Sequence, residues 1–251
     1  MRAVERQEKI RESLEAGEFL DVLHLGRRFR ASASTIRRDL MRLENRGLLR
    51  RVHGGAVSAH SREDRLGLPW RTTRAHAEKA RIGKAAAALV EDGQTVILDG
   101  GSTVAEVARN LLGRRLQIIT SSVPIAEIFW DSRAAEVTLT GGYLYPRLGV
   151  LLGPFCEQLL SSVSADLLIM GIGGITETGF SNSNSLIVSS ERRMIDAARS
   201  VIVVADDSKF GRRAMVDLAP LEMADTVVSN EPLDARYREW LERAGVRLEL
   251  A

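Results

Sequence analysis

Short segments rich in glycine and hydroxyl groups recur along this sequence, and each follows an apolar stretch that predicts a buried strand. Gly100, Gly101, Ser102 and Thr103 lie between the predicted strand Thr95–Asp99 and a helical pattern. A glycine-rich turn from strand to helix collects backbone N–H groups and hydroxyls around one point, which suits a phosphate. The alternative is a tight turn in which Ser102 or Thr103 only caps the helix.

Two more loops of the same kind follow later strands. Thr120, Ser121 and Ser122 end one apolar stretch, and Gly173 and Gly174 follow another. Ligands of open parallel sheets bind outside the carboxyl ends of the strands. The three loops together therefore predict one anion-binding site.

Further polar groups are expected near the same sheet edge. Lys209 follows a predicted strand and offers a cation. Asp99 either accepts a hydrogen bond from a sugar hydroxyl or caps its own loop. Asn182 and Asn184 either bind neutral hydroxyls or form turns. Both pairs of alternatives stay open at this point.

The N-terminal segment carries a different chemistry, that of nucleic-acid recognition. A helix predicted over residues 35–46 places Ile36, Leu40 and Leu43 on one face and arginines on the others. Its N-terminus attracts phosphate, and arginine can form two hydrogen bonds with guanine. The candidate DNA contacts are Ser32, Ser34, Thr35, Arg37, Arg38, Arg42, Arg51 and His53.

Residues 1–57 are predicted to form three helices and a hairpin. Asp21 can cap the second helix, a polar turn at residues 31–34 precedes the third, and Gly47 can end it. Residues 48–57 alternate like a strand pair around Gly54 and Gly55. This order is typical of a winged helix–turn–helix. The alternative is a helical protein-interaction domain with a solvated arginine face.

The charge distribution supports the first alternative. Residues 1–60 carry 13 Lys/Arg against 8 Asp/Glu, whereas residues 61–251 carry 22 against 25. Residues 22–60 alone hold 9 arginines and 2 acidic residues. A basic segment joined to a mildly acidic body indicates a nucleic-acid module attached to a second domain.

Residues 58–77 lack clean periodicity and are predicted to form a linker, followed by a second domain over residues 78–251. There, strands alternate with helices, which predicts an α/β fold with a mostly parallel sheet and helices on both faces. The predicted strands are 95–99, 116–120, 137–140, 167–172, 201–205 and 226–229, and the predicted helices are 104–112, 124–130, 157–163 and 187–198.

Several classes of protein are excluded by what the composition lacks. The single cysteine, Cys156, offers neither an intrachain disulfide nor a zinc cluster, and no metal or cofactor is expected. No apolar stretch approaches the roughly 20 residues of a membrane span, and the charged start does not resemble a signal peptide. A cytoplasmic protein is expected.

Catalysis finds little support in the sequence. All four histidines precede residue 77, and no Ser/His/Asp arrangement occurs in the second domain. A sugar-phosphate isomerase or hydrolase carrying a DNA-binding arm is the competing hypothesis. Its general base would be Asp99, Asp206, Asp207 or Glu177.

Several of these segments together resemble one protein family. The runs Ser34–Leu40 and Arg51–Ala56, with Leu43 and Gly47, are similar to the DeoR family of bacterial transcriptional regulators. The resemblance covers nearly the whole chain. It continues through Glu78-Lys79 and Ile82, Asp99–Thr103, Thr120–Ser122, Gly141-Gly142, Gly171–Gly174 and Asp206–Gly211.

The resemblance implies a winged helix–turn–helix and a sensor domain similar to ribose-5-phosphate isomerase. It further implies a regulator, a repressor of a carbohydrate-utilisation operon, that acts on double-stranded operator DNA. A symmetric operator requires paired modules, so a homodimer or homotetramer is expected. The implied effector is a small phosphorylated sugar or polyol. Members commonly have a Thr-rich stretch, a Glu and a Lys near residues 181–191, whereas this chain has no Lys there and has Glu191 near the expected cation. The identity of the effector therefore does not transfer.

Overall fold

The computed structural model of the protein describes residues 5–10, 20–45, 49–52, 55–58, 72 and 75–251. The chain divides into two compact units, Met1–Leu66 and Gly67–Ala251. In the part of the chain that the structure describes, no helix has both the length and the apolar composition needed to span a bilayer.

The N-terminal unit combines helices with a small antiparallel sheet. Residues 5–10 are helical, and they precede helices α1 (Val22–Phe29) and α2 (Ala33–Asn45). Asp21 caps α1 by accepting a hydrogen bond from the His24 N–H at 2.8 Å. The sheet has the order β1-β3-β2, with bounds β1 Leu20–Asp21, β2 Leu49–Val52 and β3 Gly55–Ser58.

Helical periodicity explains the core of this unit. Val22, Leu25 and Phe29 of α1 face Ile36 and Leu40 of α2, at the i, i+3, i+4 spacing of an apolar stripe. Arg30 ends α1 with a left-handed φ of 49°. Helix α2 begins two residues before the predicted start because its first turn is polar and gives no periodic signal.

A seven-stranded parallel sheet forms the centre of the second unit. Its order is β15-β14-β12-β9-β4-β5-β6. The bounds are β4 Thr95–Leu98, β5 Leu116–Thr120, β6 Ala135–Leu139, β9 Leu167–Gly171, β12 Val201–Val204, β14 Thr226–Ser229 and β15 Arg247–Leu250.

Helices cover both faces of this sheet, as the alternating pattern predicts. Successive strand residues point to opposite faces, so Val96 and Leu98 pack on one side and Ile97 on the other. The first side holds α3 (His76–Ala88), α4 (Ser102–Asn110) and α5 (Val123–Ile128). The second side holds α6 (Pro154–Leu160), α7 (Ser185–Asp196) and α8 (Ala235–Arg243).

Two smaller β elements complete the unit. Strands β7 (Tyr143–Tyr145) and β8 (Val150–Leu152) form an antiparallel hairpin. Strands β10 (Gly174–Thr176), β11 (Gly179–Asn182) and β13 (Val216–Ala219) form a separate antiparallel sheet. The sequence patterns did not predict these elements, α8 or β15.

Most helices of the second unit begin two to three residues before their predicted starts. Helix α4 begins at Ser102 and α6 at Pro154, whereas the apolar patterns begin at residues 104 and 157. A first helical turn tolerates proline and polar residues, which the apolar pattern does not register. For the same reason α3 begins at His76, inside the segment predicted to be a linker.

The strand order reverses between β4 and β9, which are hydrogen-bonded neighbours. From β4 the chain proceeds through β5 to β6 at one edge of the sheet. It then returns to β9 and proceeds through β12 and β14 to β15 at the other edge. Such a switch point leaves a crevice at the carboxyl ends of the two central strands, which is where open α/β sheets bind ligands.

Candidate functional site

A small cleft opens at this switch point. The loops after β4 and β9 contribute backbone, and α7 and the β7–β8 hairpin contribute walls. Of the predicted effector-site residues, the structure brings Asp99, Gly100, Gly101, Ser121 and Asn182 together here. The remaining lining residues are Leu148, Val150, Leu152, Gly171, Ile187, Ser190, Glu191 and Met194.

The N-terminus of α4 opens into the cleft through Gly101. This glycine has a φ of 134° and a ψ of 162°, and no side chain caps the helix. Ser102 and Thr103 are buried in the first turn, so neither takes the capping role that was the alternative. The backbone N–H groups of a first turn and the helix dipole favour an anion.

Helices α5 and α7 differ from α4 in this respect. Ser122 caps α5 by accepting from the Ile125 N–H, and Asn184 caps α7 by accepting from the Leu186 N–H at 2.8 Å. These local hydrogen bonds give Ser122 and Asn184 a structural role, and neither residue lines the cleft.

Asp99 connects the two central strands at the floor of the cleft. It is buried, its N–H donates to Ile169 O at 3.0 Å, and its Oδ2 accepts from the Gly171 N–H at 3.4 Å. The carboxylate therefore organises the β9 loop while also lining the cleft.

The remaining predicted residues do not line the cleft. Thr120 is fully buried and donates to Leu98 O at 2.6 Å. Gly173 and Gly174 hold the small sheet, since a Cβ on Gly174 would lie 2.1 Å from Arg212 O. Lys209 is half-buried in a 3₁₀ turn, Asp207–Lys209, that follows β12.

The hairpin forms a wall that sequence reasoning missed. The Leu151 N–H donates to Ser121 O at 2.8 Å, which holds β8 beside the second predicted loop. A Cβ on Gly100 would lie 2.5 Å from Val150 Cγ1, so the glycine is needed for this close approach. Gly141-Gly142 before β7 was the available signal, because it marks a sharp turn.

Glu191 and Asn182 form the polar part of the wall from α7 and β11. Glu191 is only 1% exposed, and its Oε1 accepts from Asn182 Nδ2 at 2.5 Å. The nearby Cys156 is fully buried, and burial raises the pKa of its thiol. Cys156 therefore stays protonated and packs as a small apolar group.

In the N-terminal unit the arginines of α2 lie where the sequence predicts. Arg37, Arg38 and Arg42 are exposed, and Arg37 shares a surface groove with Arg51 of β2. Ser32 caps the first turn, since its Oγ accepts from the Thr35 N–H at 3.2 Å and lies 2.9 Å from Ser34 Oγ. His53 lies outside the described residues.

A buried ion pair joins α2 to the first helical segment of the unit. Asp39 is 2% exposed and accepts from Arg6 Nε at 2.6 Å and from Gln7 Nε2 at 2.8 Å. Sequence reasoning missed this role. The signal was present, because Asp39 shares the helix face of Ile36 and Leu43, and a carboxylate on an apolar face needs a partner.

We expect Asp39→Asn to destabilise the N-terminal unit by about 1.5–3 kcal/mol, because it removes the carboxylate charge that pairs with the buried Arg6 guanidinium. Hydrogen-exchange mass spectrometry should show faster exchange of residues 20–45, with unchanged protection in the parallel sheet. Equal protection of α2 in the variant and the parent would show that the pair does not hold the helix.

A second, exposed ion pair joins α2 to strand β2. Glu44 Oε1 accepts from the Arg51 N–H at 3.0 Å, and Glu44 Oε2 accepts from Arg51 Nε at 2.5 Å. The backbone hydrogen bond, and then the guanidinium, hold the pKa of Glu44 below its ordinary value. The pair therefore also orients Arg51 beside the groove.

This attachment should depend on pH. Because the folded pKa of Glu44 is lowered, the contact is complete above the ordinary pKa of a glutamate and is lost as the pH falls through the lowered value. An NMR titration of the Arg51 amide should give a midpoint below that of a solvated glutamate. A midpoint at or above that ordinary value would contradict the contact.

Comparison with known families decides what these two units are. Residues 6–62 match the model of the DeoR-like helix-turn-helix domain, and residues 74–231 match the DeoR C terminal sensor domain. The chain belongs to the DeoR family. It is therefore a DNA-binding transcriptional regulator with an N-terminal helix–turn–helix and a C-terminal sensor domain.

Two curated relatives match this DeoR protein over nearly all of their length. The HTH-type transcriptional regulator GlpR of Haloferax volcanii is 36% identical, covering 98% of this chain and 97% of the relative. The glycerol-3-phosphate regulon repressor of Escherichia coli is 32% identical over the whole of both chains. Ribose 5-phosphate isomerase A of Methanocaldococcus jannaschii aligns with 53% of each chain at 19% identity and a TM-score of 0.39.

Proposed function

We propose that this DeoR regulator represses a carbohydrate-utilisation operon and that a small phosphorylated sugar or polyol controls its affinity for operator DNA. Residues 1–57 would bind DNA, and residues 78–251 would sense the effector. The names of the relatives support this assignment, since they include repressors of a glycerol-3-phosphate regulon.

The uncapped N-terminus of α4 is the observation on which the effector assignment rests. Gly100 and the N-cap residue Gly101 line the cleft at the switch point of the parallel sheet, and the first turn of α4 follows them directly. The same cleft offers the Ser121 and Ser190 hydroxyls and the carboxylates of Asp99 and Glu191. Backbone donors suit a phosphate, and hydroxyl and carboxylate groups suit a polyhydroxyl chain.

We assign operator recognition to the exposed face of α2. Arg37, Arg38 and Arg42 would enter or flank the major groove, where arginine reads guanine. Arg51 would contact the adjacent phosphate backbone, with Ser32, Ser34 and Thr35 at the start of the helix. The buried Asp39 pair supports this face by fixing the helix against the unit's first helical segment.

Control by the effector requires a difference in affinity. A ligand shifts the equilibrium only if it binds the DNA-free form more tightly than the DNA-bound form. A symmetric operator also requires paired modules, so we propose a homodimer or homotetramer. Light scattering on the purified protein tests the oligomeric state, and a monomer at operator-binding concentrations would contradict it.

We propose that the sensor domain is not catalytic. Of the four candidate bases, only Asp99 lines the cleft, where it accepts from Gly171, while Glu177 pairs with Arg243 at 2.9 Å. Across the described residues, no three His, Cys, Asp or Glu side chains form a group that could hold a metal ion. Turnover of ribose 5-phosphate or related sugar phosphates by the full chain would overturn this part of the proposal.

A direct test uses DNA from upstream of the protein's own gene. Fluorescence anisotropy with the labelled duplex should show tight, salt-sensitive binding that a phosphorylated sugar or polyol weakens. The matching unphosphorylated compounds serve as controls. Binding no tighter than to a scrambled duplex, or a complex that no phosphorylated compound affects, would contradict the proposal.

A further inference from the structure

The cleft contains two kinds of polar surface that would treat an effector differently. The α4 N-terminus presents backbone N–H donors, whereas Glu191 of α7 presents a carboxylate. A carboxylate accepts hydrogen bonds and repels anions. The two surfaces therefore favour different chemical groups of a bound ligand.

Glu191 is held in a defined orientation on its wall. It lies on α7, it is 1% exposed, and its Oε1 accepts from Asn182 Nδ2 at 2.5 Å. Asn182 Oδ1 in turn accepts from the Ser183 N–H at 2.8 Å, which fixes the amide. A buried carboxylate whose position is set by a neighbouring amide offers a fixed interaction geometry to any ligand group that approaches it.

We propose that Glu191 determines the specificity of this sensor by selecting effectors with a single anionic group. This inference rests on the proposed function of the cleft. The phosphate would occupy the α4 end, and hydroxyl groups at the other end of the ligand would donate to the Glu191 carboxylate. A carboxylate or a second phosphate at that end would bring like charges together in a poorly solvated site.

The proposal separates classes of metabolite that share a carbon skeleton. Monophosphorylated polyols and sugars would be effectors. Phosphorylated sugar acids and bisphosphates of the same length would be rejected. Binding energy from the phosphate would be common to both classes, so the discrimination would arise at the remote end.

Two matched pairs of ligands test this selection. Glycerol 3-phosphate and 3-phosphoglycerate differ only by CH₂OH against COO⁻, as do glucitol 6-phosphate and 6-phosphogluconate. Calorimetry on the full chain should show the alcohol of at least one pair binding about 30-fold more tightly than its acid. In Glu191→Gln the ratio should fall to about 3-fold or less, because the amide removes the charge and its oxygen still accepts from Asn182.

Glu127→Gln is the matched control, since it removes the same charge from the exposed face of α5. It should leave the ratio unchanged, and thermal unfolding should confirm that both variants fold. An unchanged ratio in Glu191→Gln, or equal affinity for alcohol and acid in the parent, would overturn the inference while leaving the phosphate site intact. Failure of all four ligands and of inorganic phosphate to bind would overturn the proposed function as well.

Discussion

A Gly101→Val variant is expected to lose detectable binding of phosphorylated effectors. Gly101 has a φ of 134° and a ψ of 162°, a region that is essentially restricted to glycine. Valine would add strain of about 1–3 kcal/mol and place a branched side chain where the ligand approaches the α4 N–H groups. Calorimetry with an effector that binds the parent protein should show no heat of binding.

Gly113→Val provides the control for backbone strain. Gly113 has a φ of 84° and is exposed in the turn before β5, at the amino end of that strand. A Cβ built on Gly113 would have no atom within 4 Å. It should retain effector binding despite its loss of stability. If Gly101→Val still binds the effector, the phosphate site does not lie at this loop.

Arg37→Ala and Arg38→Ala are each expected to weaken specific operator binding by about 1–3 kcal/mol, or roughly 5- to 150-fold. Both side chains are exposed on α2, and neither belongs to the apolar core of the unit. Loss of a base contact should also relax sequence preference, so binding to a scrambled duplex should fall much less. Anisotropy titrations with both duplexes measure the two effects.

Arg247→Ala is the matched control, because it removes one exposed arginine from β15 of the sensor unit. It should leave both titrations close to those of the parent. If Arg37→Ala and Arg38→Ala bind the operator as the parent does, α2 is not the recognition helix.

Six of the seven strands of the parallel sheet could be predicted because their signals are local. Each central strand is an apolar run bounded by glycine or polar residues, and the following helix has its own periodicity. Thr95–Leu98 and Leu116–Thr120 illustrate this, since their predicted bounds differ from the observed ones by at most one residue. The first turns of the helices could not be placed, because Ser102 and Pro154 give no apolar signal.

The walls of the cleft could not be predicted, because they depend on contacts between distant segments. Val150 approaches Gly100 across 50 positions, and Glu191 meets Asn182 only through the turn between β11 and α7. The strand-end loops placed Asp99, Gly101 and Ser121 at the cleft. The same reasoning also selected Thr120, Ser122 and Asn184, whose hydrogen bonds are structural. Spacing alone does not distinguish a lining hydroxyl from a capping one.

Operator and effector are expected to oppose each other through one coupling free energy. This coupling is measured by the affinity of a phosphorylated effector for the free protein and for the protein saturated with operator duplex. We expect weaker effector binding in the DNA complex, by the same factor by which the effector weakens operator binding. Equal effector affinity in the two states would contradict it, because a ligand that does not distinguish the two states cannot release the DNA.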